Sequence, residues 1–153
     1  LLDPGAPLLW SNRGIVRTEM GGPNLEGAVE DLSHALALDP RLAAARWNRA
    51  IAGGRRGDWV AARDDLDVLV RDAPEEARYR WQRAQVRTRL RRWDEALNDL
   101  TVLERLMPDR HEVLALRARG EMEGQRWAAA APWMERAIVL VPAADARDFP
   151  DYH

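Results

Sequence analysis

A pattern returning every 34 residues constrains this chain more than any local motif. Trp93, Ala96, Asp99, Leu100, Leu103 and Pro108 have counterparts one period upstream in Trp59, Ala62, Asp65, Leu66, Leu69 and Pro74. A further period upstream stand Leu25, Ala28, Asp31, Leu32, Ala35 and Pro40, and one period downstream Trp127, Ala130, Met134, Ala137 and Pro142. Self-similarity at such a period means stacked supersecondary units, each burying its apolar face against the next. The fold class expected is all-α, an α-solenoid of about four helix-turn-helix units.

Those units run about 7–40, 41–74, 75–108 and 109–142, with a tail at 143–153, and together read as one domain. Each pairs a helix A with a helix B. The spacing predicts helix A over about 7–20, 42–55, 75–90 and 110–123, and helix B over about 25–38, 59–72, 93–107 and 127–141. Gly21-Gly22-Pro23-Asn24 breaks the first pair and carries the two extra residues that make the only slip in the period. Proline cannot continue a helix, so Pro40, Pro74, Pro108 and Pro142 mark where units end. Pro132 should disturb the opening turns of the last helix B.

The columns assign the core. Ala28, Ala62, Ala96 and Ala130 sit where two helix axes approach closely. Leu32, Leu66, Leu100 and Met134, with Ala35, Leu69, Leu103 and Ala137, share one face of helix B at helical spacing. Trp59, Trp93 and Trp127 open helix B and should wedge between units, given how much apolar area an indole buries. Arg13, Arg49, Arg83 and Arg117 form a basic column, tracked by Asp31, Asp65 and Asp99; the planar fork of guanidinium suits a repeated bridge to carboxylate. Trp133 breaks the acidic column, which leaves Arg117 available for another partner.

Composition closes off other classes. A formal net charge of −2 over 153 residues is no footprint for nucleic acid or an anionic membrane. All 23 basic residues are Arg, which reads as a GC-rich coding bias. Without Cys there are no disulfides, thiolate chemistry or Cys-ligated zinc, which is compatible with any compartment. No apolar run reaches a membrane span. His34, His111 and His153 have no second ligand at metal spacing and read as surface residues. Gly53-Gly54-Arg55-Arg56-Gly57 has neither the preceding strand nor the Lys-Ser/Thr of a phosphate loop, and reads as a weakened last turn. Adjacent carboxylates such as Asp64-Asp65 point to different helix faces. No catalytic constellation is found, and no cofactor or metal is implied.

The chain opens on Leu1, and Leu1-Leu2-Asp3-Pro4 repeats the Leu38-Asp39-Pro40 that closes a unit. We therefore expect a longer parent protein with an earlier repeat upstream.

Four units in register, with Trp10, Gly14, Ala28, Leu32 and Pro40 in the first, resemble the tetratricopeptide repeat, a 34-residue helix-turn-helix. Arg13, Arg17 and Leu32 stand where that pattern has Leu, Tyr and Phe. The resemblance implies right-handed superhelical stacking with the A helices lining a concave, peptide-binding side. At helical spacing the inward set is Leu8, Ser11, Ile15 and Thr18, then Ala44, Trp47, Ile51 and Arg55, then Arg78, Trp81, Gln85 and Arg89, then Glu112, Ala115, Arg119 and Met122. Trp47 and Trp81, one period apart, should sit side by side, ringed by Arg55, Arg78, Arg89 and Arg119, which is hot-spot composition. The candidate groove is thus Trp47, Asn48, Ile51, Arg55, Arg78, Trp81, Gln85, Arg89 and Arg119. Asn48 and Arg78 match the family's carboxylate clamp, but Ser11, Ile15 and Gln82 do not, so that clamp is not expected.

The expected function is a non-catalytic protein–protein scaffold taking an extended acidic or amphipathic segment of another protein. The alternative is a regulatory or recruiting segment of a larger enzyme or multiprotein complex. Stacking of single-stranded RNA on Arg and Trp is disfavoured by the near-neutral charge and the acidic column. The last helix B is apolar at Val139 and Val141, where the first unit has Ala37 and Asp39. A terminal repeat normally needs a polar outer face, so self-association, a domain contact, or a cap by the tail with Phe149 and Tyr152 is expected there.

Overall fold

The structure, a computed structural model, describes residues 6–141. It contains α1 (Pro7–Met20), α2 (Asn24–Leu38), α3 (Ala43–Arg56), α4 (Trp59–Asp72), α5 (Ala77–Arg89), α6 (Trp93–Leu106), α7 (His111–Glu123) and α8 (Trp127–Leu140). No strand occurs among the described residues. The architecture is all-α, helix pairs repeated in the manner of an α-solenoid. The expectations for Leu1–Pro4 and for the tail with Phe149 and Tyr152 lie outside the described residues.

Local chemistry sets the helix ends. Pro7 occupies the first turn of α1, where its missing N–H costs nothing. Gly57 adopts φ +90°, and the bonds Asp58 N–H to Gly53 O (2.8 Å) and Gly57 N–H to Gly54 O (3.0 Å) close α3 by a left-handed glycine cap. The Gly53-Gly54 pair is not a frayed end. Both residues are buried, and a methyl at Gly54 would come within 3.3 Å of the Trp59 ring. Pro132 does not interrupt α8, which runs through it without a break.

The chain forms two compact units, Leu1–Leu90 and Arg91–His153. In the first, α1 packs on α2, α2 on α3, α3 on α4 and α4 on α5, and α1 also meets α3. Its core gathers Leu32, Ala35, Leu36 and Ala45 at one joint and Ala50, Leu66, Leu69, Val70, Tyr79 and Val86 at the next. In the second, α7 packs against both α6 and α8. The Ala column is buried throughout, and Leu32, Leu66 and Leu100 are wholly inaccessible. Two expectations fail at the far end. Met134 and Trp127 are 36% and 61% exposed, because no further A helix packs on α8 among the described residues.

Candidate functional site

In the first two helix pairs the basic and acidic columns meet as ion pairs between helices A and B. Arg13 donates from Nε and Nη2 to Asp31 at 2.7 and 2.5 Å, and Arg17 adds a bond at 2.8 Å. Arg49 grips Asp65 in the same way at 2.8 and 2.7 Å, with Arg46 beside it at 3.2 Å. Bonding to Asp65 raises the Arg49 pKa above its ordinary value, outweighing the opposing desolvation, so the guanidinium stays charged. These two Arg–Asp pairs therefore hold helix A to helix B.

Arg117 is not available for a partner either. It donates to Thr101 Oγ1 at 2.9 Å, lies 3.6 Å from Glu104, and stacks 4.4 Å from the Trp133 ring centroid. Trp133 receives a second cation from Arg136 at 5.2 Å. Where the acidic column lapses, a cation–π contact replaces the bridge.

The candidate groove residues of the first unit fall on α3 and α5. Trp47 is half-buried, packed against the core around Leu66 and Leu69. Its ring lies 5.4 Å from that of Tyr79, tilted by 43°, and the Arg78 guanidinium stands 5.8 Å above it. Arg78 also lies 4.9 Å from the Tyr79 ring and donates to its hydroxyl at 3.2 Å. Trp81 is half-buried one turn further along α5, as are Ile51 on α3 and Gln85 on α5. Asn48 turns its amide back onto Ala44 O at 2.8 Å. Arg55 reaches Thr18 O at 2.6 Å, closing the end of α1. Arg89 covers the Trp59 ring at 5.8 Å. Arg119 is exposed on α7, in the second unit.

The aromatic neighbour of Trp47 that sequence reasoning missed is Tyr79. Its column, with Ala45 and Val113, is buried and reads as core. In α1 the inward set is less open than the spacing suggested. Ser11 and Thr18 are buried, and Thr18 bonds Gly14 O at 2.8 Å. Among the described residues no group of His, Asp and Glu could hold a metal ion, and no helix is long and apolar enough to cross a membrane.

No protein-family model matches the sequence, and no curated protein matches it. Solved structures do. MamA of strain AMB-1 superposes with a TM-score of 0.83 at 19% identity, over 92% of this chain and 82% of that one. MamA from Desulfovibrio magneticus RS-1 gives 0.82 at 16%, over 95% and 79%. The fold is shared with MamA. At this identity the likeness is one of fold.

Proposed function

We propose that this chain is a non-catalytic scaffold that binds an extended acidic or amphipathic segment of another protein across the A-helix face of α3 and α5. One observation carries the reading: Trp47, half-buried and in ring contact with Tyr79, lies under the Arg78 guanidinium, with Trp81, Ile51 and Gln85 half-buried on the same two helices. Fixed aromatic anchors beside cations suit a segment alternating apolar and acidic side chains. Arg89 stands over a ring, and Arg78, 3.5 Å from the exposed Glu76 carboxylate through Nε and bonded to the Tyr79 hydroxyl through Nη2, keeps its Nη1 donors for an incoming carboxylate. The shared fold with MamA agrees with a scaffold role.

The test is capture of partners from lysate of the source organism, read by mass spectrometry, with wild type beside a Trp47→Ala/Trp81→Ala double variant. A partner lost by the double variant, with helix content preserved, supports the site. Equal recovery by both refutes it.

A further inference from the structure

At one position of helix B the repeat alternates hydroxyl and carboxylate: Ser33, Asp67, Thr101 and Glu135. The first three each meet the A helix that follows. Arg49 Nη1 donates to Ser33 Oγ at 3.1 Å, Arg83 Nη1 to Asp67 Oδ1 at 2.9 Å, and Arg117 Nη1 to Thr101 Oγ1 at 2.9 Å. The position thus takes a hydroxyl or an anion under the same guanidinium. Where it is Asp67, a second cation closes on the same oxygen, Arg87 at 3.2 Å.

The two hydroxyl positions differ in the positive charge left over beside them. Arg49 gives Nε and Nη2 to Asp65, so the cation at half-buried Ser33 already has its carboxylate. Arg117 has no such partner, because Trp133 stands in the Asp position. Its Nε is buried without a hydrogen-bond partner among the described residues. Glu104, 3.6 Å from Arg117, is held more closely by Arg136 at 3.0 Å. Glu121, which stands where Arg87 does, is itself bonded by Arg126. Two cations therefore share Glu104 beside Thr101, and Thr101 is exposed on α6.

We propose that Thr101 is a phosphorylation site whose phosphate is held by Arg117, as Asp67 is held by Arg83. In the transfer Thr101 Oγ1 bonds to the terminal phosphorus of a nucleoside triphosphate, and the bond from that phosphorus to the diphosphate breaks. The hydroxyl proton, donated to Leu97 O at 2.9 Å in the unmodified helix, passes to a base of the kinase. The product carries a charge of about −1.5 to −2 and strong acceptor oxygens, placed on the guanidinium that the hydroxyl already touches. The α6–α7 joint then gains the anion that the α4–α5 joint has built in, and α6 is drawn more tightly to α7.

The first test is mass spectrometry of the chain isolated from growing and from starved cells of its source organism. Trypsin releases 93–105, in which Thr101 is the only hydroxyl side chain, so one added phosphoryl group on that fragment locates the site. The second is urea unfolding of Thr101→Asp against its neutral isostere Thr101→Asn. Asp should raise the folding equilibrium constant about two- to fivefold over Asn. In an Arg117→Gln background that gain should vanish, and the comparison holds even if Arg117→Gln itself weakens the fold. A fragment without phosphate under both conditions overturns the proposal. So does an Asp variant no more stable than Asn, or a gain that survives Arg117→Gln.

Discussion

Gly14 lies so close to Leu32 that a methyl group on it would sit 2.5 Å from Leu32 Cγ and 2.9 Å from Cδ2. In the later units the same place holds Ala50, Ala84 and Ala118, all buried. The first helix pair is therefore packed more tightly than its successors, and a residue that looks interchangeable in the repeat is not.

Gly14→Ala should destabilise the protein by about 1–3 kcal/mol, the usual cost of overpacking, despite the better helix propensity of Ala. Unfolding in urea measures it. An unchanged or raised midpoint contradicts the close approach.

The core column gives a second contrast. Leu66→Ala, at a wholly buried site, should cost roughly 2–5 kcal/mol, whereas Met134→Ala, one-third exposed at the equivalent position, should cost well under half of that. Urea midpoints of the two variants separate them.

Asp65 is buried between Arg46 and Arg49. Asp65→Ala leaves both guanidinium groups without their carboxylate and should cost roughly 2–4 kcal/mol. Asp64→Ala next to it, on the exposed side, should stay within about 0.5 kcal/mol. Equal losses at the two positions would mean that the bridge does not order the pair.

Tyr79→Phe keeps the ring against Trp47 and removes only the hydroxyl that Arg78 bonds. Stability should fall by no more than about 1 kcal/mol. Partner capture should survive, because the ring holds the indole in place. Loss of capture in a stable Tyr79→Phe protein would shift the anchor from the ring to the hydroxyl.

Much of the fold was legible because the period repeats chemistry as well as hydrophobicity. The 34-residue period with its Pro, Gly and Arg-rich turns placed every helix end within two residues, and the Arg and Asp columns named the Arg13–Asp31 and Arg49–Asp65 pairs. The failures have one origin. A repeat assumes a neighbour on both sides, so Trp127 and Met134 read as buried when nothing described packs on them. Arg117 looks available in the sequence because no carboxylate stands opposite it, but the Trp133 in the Asp position is itself the signal for a stacked cation. At the site, the pairing of Trp47 with Tyr79 was hidden because period alone matches like positions, and these two occupy different ones.

Arg49 touches both the helix partner of its own unit, through Asp65, and the unit before it, through Ser33. A guanidinium clamped at both ends ties the opening of one pair to the loosening of its neighbour, so interior amide protons should exchange with solvent together and slowly. Within this stretch of chain those of α1 and α8, which among the described residues are packed on one side only, should exchange faster than those of the helices between them.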